Sequence, residues 1–190
     1  WTVPQSIVKG EGLGERVLAN PSWASSKGYK ATKGANGYIS VVQGPGPGNA
    51  LGRMKLDMPN RHAIFFHDTP SRNLFSQSNR ALSHGCIRTE RATELAFTLA
   101  ILQAGLTAQE ATDILASGEY TRIGFDTKMP AYITYFTMAT NIDGKMSTFN
   151  DIYDRDAPVL AAFEAPRKAN RSRVTDEEII EIVNDPRDIA

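Results

Sequence analysis

The chain's three histidines, His62, His67 and His84, and its only cysteine, Cys86, all fall between Arg61 and Thr89. Each can serve as nucleophile, base or metal ligand near neutral pH. A single cysteine accompanied by histidines is a candidate nucleophile. Its alternative is an inert buried thiol. In Ser83-His84-Gly85-Cys86 the glycine before the cysteine lets the backbone approach a ligand closely and present its N–H groups. A thiolate nucleophile needs a base to take its proton and donors for the oxyanion it generates. His67 can be that base, and the amides of His84, Gly85 and Cys86 can be those donors. The set amounts to acyl-transfer machinery without a serine.

Two other chemistries compete. Zinc would need four soft or borderline ligands, and His84-Gly85-Cys86 does not have the usual spacing of a ligand pair, so no metal is expected. A redox role lacks a resolving cysteine.

The elements around this stretch must hold it. Tyr38–Gln43 reads as a strand from its β-branched and aromatic residues, and Gly44–Gly48 as a loop. Met54–Met58 alternates, with Lys55 and Asp57 on the polar face. His62–His67 is apolar on both faces and predicts a central strand, ended by the turn Asp68–Ser71. Residues five apart on a strand face opposite sides, so His62 and His67 should not share a site. His62 then reads as a structural histidine, and His67 as a base held at a rigid strand end.

Thr89 is a plausible N-cap for a helix from Glu90 to about Ala104, stopped by Gly105. Thr107 and Glu110 form a capping box for a second helix to about Ser117. Ala131–Ala139 and Lys145–Phe149 read as strands joined through Asp143-Gly144, a strong hairpin signal. Residues 1–36 are poorly periodic; a short helix over Ile7–Leu18 is weakened by Gly12 and Gly14. Residues 160–174 read as a surface tail, followed by a short helix capped by Thr175 and Glu178.

Composition excludes some partners. Lys+Arg and Asp+Glu balance at 21 each in 190 residues, so no net field points to nucleic acid or an anionic membrane. No apolar run approaches the roughly 20 residues of a transmembrane helix. The opening WTVPQSIVKG has none of the parts of a signal peptide.

His67 is followed by fifteen residues and then by Ser83-His84-Gly85-Cys86-Ile87-Arg88. This resembles the motif of the L,D-transpeptidase catalytic domain: histidine, a similar gap, Ser/Thr-His-Gly-Cys, an apolar residue, then Asn or Arg. Trp1–Pro4, Gly46–Gly52, Pro59-Asn60, His67–Arg72 and Asp151–Tyr153 are similar to the large periplasmic subgroup of that family. The resemblance covers about residues 1–158. It implies a β-rich domain, a sandwich or open barrel, with a helical, lid-like insert at about 90–118 and a tail at 159–190. The subgroup's strands upstream of Trp1–Pro4 are not in this chain, so the sheet is expected to lack its first strands.

The resemblance also implies an activity. Cys86 would attack the carbonyl of the third residue of a peptidoglycan tetrapeptide stem, releasing D-Ala and forming a thioester. An amine of a second stem would then give a 3→3 cross-link, in the periplasm or cell envelope. Water as acceptor would make the chain an L,D-carboxypeptidase; an inactive peptidoglycan-binding domain is the other reading. By the same resemblance His67 is the proton acceptor, oriented by the carbonyl of Asp68, whose side chain caps the turn. Arg88 either pairs with a substrate carboxylate or fixes the loop before the helix. Ser83 and Arg72 are further candidates for substrate binding, with Arg80 a weaker one. No cofactor is implied, and carbapenem β-lactams would acylate Cys86.

Overall fold

The computed structural model describes residues 1–83, 85–127 and 129–165. They fall into two compact units, one up to residue 127 and one from 129.

In the first unit the chain opens with three short helices. Helix α1 (Gln5–Gly10) starts behind Pro4, whose carbonyl accepts from the Ile7 and Val8 amides. The single helix expected over Ile7–Leu18 is in fact two, because Gly12 takes left-handed backbone at φ 66° before α2 (Leu13–Ala19). Helix α3 (Pro21–Ser26) has proline at its first turn, where the missing N–H costs nothing.

Strands β1 (Tyr29–Lys33) and β2 (Ile39–Gln43) pair antiparallel, from Tyr29↔Gln43 to Lys33↔Ile39. Residues 1–3 run along the other side of β2, with Val3 N–H on Val41 O and Gln43 N–H on Trp1 O. Ile39, Val41 and Gln43 point inward from β2, and Ile39 and Val41 join Val3, Val8, Val17 and Ala24 in the core. Val41 is wholly buried, which contributes roughly 1.5–3 kcal/mol. Gln43 also ties down the glycine-proline loop. Its amide donates to Lys27 O and Gly48 O and its carbonyl accepts from Ala50 N–H.

A second sheet carries the histidine and cysteine segments. Its strands are short: β3 (Lys55–Leu56), β4 (Phe66–His67) and β5 (Ile87–Arg88), in the order β3-β4-β5. The pair β3–β4 is antiparallel and β4–β5 parallel. The expected strand His62–His67 is cut to its last two residues by Asn60. The Asn60 side chain donates to Met58 O and Ile64 O and accepts from the His62 and Ile64 amides. Those bonds use backbone groups that a longer ladder would need, and Ala63 turns to φ 52° within the loop.

Helix α4 (Ala92–Ala104) begins later than expected and has no side-chain cap. Thr89 does not cap it: Thr89 N–H donates to His67 O and continues the β4–β5 ladder, and the helix starts two residues later, behind Arg91. Gly105 stops the helix in left-handed backbone. Helix α5 (Ala108–Ser117) has the expected capping box, with Thr107 Oγ1 on Glu110 N–H and the Glu110 carboxylate on Thr107 N–H. Its last turn is tied to the chain before β3, where the Arg53 guanidinium donates to Leu115 O at 3.4 Å.

In the second unit β6 (Met138–Thr140) and β7 (Met146–Thr148) form the hairpin expected at Asp143-Gly144. The strand is shorter than the predicted Ala131–Ala139. Asp151 accepts from Tyr135 OH at 2.6 Å and from Asp156 N–H at 2.7 Å, which fixes the start of α6 (Asp156–Glu164). Residues 160–164, read as tail, are thus helical. The helix predicted behind Thr175 lies outside the described residues.

The β-rich expectation holds only in part. Strands occur in three small open sheets, and helices account for more of the described chain than strands do. The α3 and β1 segments lie in the stretch read as poorly periodic. Strands β4 and β5 are short because Asn60 on one side and the loop before Cys86 on the other consume the flanking backbone.

Candidate active site

The β4–β5 register brings the base candidate to the nucleophile candidate. Phe66 pairs with Ile87 and His67 with Arg88, supported by Ile87 N–H on Phe65 O and Thr89 N–H on His67 O, both 2.9 Å. Extending that register one residue back sets Cys86 beside Phe65. Alternation along each strand then puts Phe65, His67, Cys86 and Arg88 on one face of the sheet, with Cys86 diagonal to His67. On the other side of β4, Lys55 is the register partner of His67 and shares that face.

His67 is 5% exposed, and its environment selects its tautomer. Nδ1 lies 2.5 Å from the carbonyl oxygen of Asp68. A carbonyl can only accept, so Nδ1 carries the proton and Nε2 keeps its lone pair. Burial holds the imidazole below its ordinary value of 6.5, and the Arg88 charge acts in the same direction. The Asp68 carbonyl bond and carboxylate oppose this without reversing it. At neutral pH the ring is therefore uncharged and able to take a proton. The Phe65 ring stands edge-on to it at 5.8 Å.

The bond within the turn after β4 comes from Thr69, whose Oγ1 accepts from Ser71 N–H, and the Asp68 carboxylate expected to cap it points elsewhere. The Asp68 carboxylate, 3% exposed, accepts from Arg53 N–H at 2.8 Å and from the Arg72 guanidinium at 2.6 Å. Gly52 packs directly against that carboxylate. A Cβ at Gly52 would stand 2.6 Å from Asp68 Cβ, and the residue sits at φ 61°, so both space and backbone call for glycine.

The cysteine loop is closed by its own side chains. Ser83 Oγ donates to Cys86 O at 2.8 Å and accepts from Gly85 N–H at 3.2 Å. The Gly85 amide, one of the expected oxyanion donors, is therefore already engaged. Gly85 has φ 133°, and a Cβ there would meet Ile64 at 3.4 Å. Cys86 is partly exposed. His84 lies outside the described residues. Arg88 donates to Leu82 O at 3.1 Å and so fixes the start of this loop. Arg72 donates to Glu90 O as well as to Asp68. Arg80 donates to Gln77 O within its own loop.

His62 is not on the strand that was to turn it away from His67. It is exposed in the Asn60 turn, and its Nε2 accepts from Arg61 at 3.2 Å. Among the described residues no three His, Cys, Asp or Glu side chains converge as a metal site, and no helix is long and apolar enough to cross a membrane.

Sequence reasoning passed over Lys55, Asn60 and Gly52. Lys55 shares the polar face with Asp57, as expected, at 2.5 Å, and its ammonium also lies 4.4 Å from the Phe65 ring centre. The alternation of Met54–Met58 carried that signal, but only the register shows that His67 shares the face.

Residues 1–112 match the family model of the L,D-transpeptidase catalytic domain, YkuD. A putative L,D-transpeptidase of Haemophilus influenzae is 30% identical over 178 residues, which covers 85% of this chain. The chain spans 36% of that relative's length.

Proposed function

Since the chain belongs to the YkuD family of L,D-transpeptidase catalytic domains, we propose that it is a cysteine-dependent transpeptidase of peptidoglycan stems in the cell envelope, forming 3→3 cross-links. The observation that carries the mechanism is the bond from His67 Nδ1 to Asp68 O, which leaves Nε2 unprotonated on the face that Cys86 shares.

His67 Nε2 takes the Cys86 proton, and the thiolate attacks the carbonyl of the third residue of a tetrapeptide donor. The oxyanion that develops needs donors where the carbonyl was. The Cys86 amide is the first of these, and the Gly85 amide joins it once it leaves Ser83 Oγ. The carbon–nitrogen bond to D-Ala then breaks, and the imidazolium returns its proton to the leaving amine. A thioester on Cys86 remains. The amine of a second stem attacks it, His67 accepts the amine proton, and the thiol leaves with a proton restored. An amide replaces an amide, so no redox partner or cofactor enters. Carbapenems would acylate the same sulfur through their strained lactam carbonyl.

The Arg88 side chain, already bonded to Leu82 O, holds the nucleophile loop and adds positive charge beside the base. Ser83 acts on the loop in the same way, as its hydroxyl bridges Gly85 and Cys86.

The test is product analysis of a purified tetrapeptide stem with and without an acceptor stem. A 3→3 dimer with acceptor present supports transpeptidation. Tripeptide as the sole product in both reactions would make water the acceptor and the chain an L,D-carboxypeptidase. No turnover in either would favour a binding domain.

A further inference from the structure

Arg72 touches the ends of both strands that carry the chemistry. Its guanidinium holds the Asp68 carboxylate at 2.6 Å, at the end of β4. It also donates to the Glu90 carbonyl, two residues beyond β5. Asp68 in turn accepts from Arg53 N–H, and its own backbone carbonyl accepts from His67 Nδ1–H. One planar fork thus fixes the residue that orients the base and the exit of the strand that follows the nucleophile. These two strands pair over only two residues each, so the ladder alone gives them little grip.

We propose that Arg72 is a positioning residue, a strap that sets the His67 strand against the Cys86 strand by gripping Asp68 and Glu90 together. It rests on the reading of His67 as base to Cys86. It replaces the substrate-binding role that sequence suggests for Arg72. A guanidinium suits the task because its donors are rigid and coplanar and can serve a carboxylate and a carbonyl together, whereas an ammonium offers a single point.

The strap also has an electrostatic consequence. Among the described residues, the charged and titratable groups around His67 are Arg88 from β5, Lys55 from β3, Asp68 just after its own strand, and the Cys86 thiol. Lys55 is paired with Asp57. Among the described residues Asp68 is the anion whose charge favours imidazolium, and Arg72 compensates it. Arg72→Gln would leave the carboxylate unopposed and draw a proton towards His67.

The experiment titrates the His67 ring by NMR, assigned with His67→Gln, and measures stem turnover in the same variants. In Arg72→Gln the His67 midpoint should rise, and in Asp68→Asn/Arg72→Gln it should return towards wild type. The kcat should fall about ten- to hundredfold with the donor KM little changed. Arg72→Lys keeps the charge, so it should hold the midpoint yet lose part of kcat; it carries the test if the glutamine variant fails to fold. An unmoved His67 midpoint in Arg72→Gln, with a raised donor KM or with unchanged kinetics, overturns the proposal. Should the wild-type chain turn over no stem, the NMR titration and the rate of Cys86 alkylation by iodoacetamide still decide the strap separately from the enzymatic reading.

Discussion

His67 and Arg88 are register partners across the parallel pair β4–β5, so a fixed guanidinium stands beside the base candidate. An arginine next to a histidine disfavours imidazolium. Burial does the larger part of the same work, and together they keep the ring uncharged where a base is needed.

A pH prediction follows from that sign. The acylation rate should fall only as pH drops below the lowered value of His67, and Arg88→Gln should move this acid limb upward. Stability follows the same group. Between the lowered folded value and 6.5, the unfolded chain binds more protons, so stability rises with pH through that window and is flat above it. His67→Gln should remove this slope. Urea midpoints measured on either side of the window check it, and a slope that persists in the glutamine variant would assign it to another group.

Gly52→Ala should cost about 1–3 kcal/mol, from left-handed backbone and from the collision with the Asp68 carboxylate. The displaced Asp68 would also lose its hold on His67, so kcat should drop with stability. Urea denaturation and stem turnover read the two effects. An alanine variant with wild-type stability and activity would show that the cage around Asp68 is slack.

His67→Ala should abolish acylation, while His84→Ala should slow it and leave it measurable. His84 is nearer to Cys86 in sequence, but His67 is the histidine whose Nδ1 is held by a carbonyl and whose Nε2 is left free to take a proton. The pH dependence of acylation in each variant is the readout. Acylation lost in His84→Ala and a wild-type profile in His67→Ala would reverse the roles.

What could be read from sequence divides along physical lines. The capping box at Thr107 and Glu110, the Asp143-Gly144 hairpin and the stop at Gly105 are local, and each depends on residues within a few positions. The start of β4 was misread because Asn60, a single side chain, outcompetes the ladder for the backbone of residues 62–64. The Asp68 cage joins Gly52, Arg53, Arg72 and Glu90 through the fold, and no spacing rule reports it. Strand β1 was missed since Tyr29 and Ala31 are only half-buried and exposed Lys30, Thr32 and Lys33 fill the positions between and after them. The two halves of the candidate site could be named from His67 and Ser83–Cys86, but their diagonal placement is a matter of register.

The most direct measurement is intact mass after incubation with a purified tetrapeptide stem. Wild-type protein should gain the mass of the stem less D-Ala, located on Cys86 and released by hydroxylamine, and Cys86→Ala should gain nothing and make no cross-links. A wild-type chain that releases D-Ala with no adduct on Cys86, or an alanine variant that still cross-links, would contradict the account.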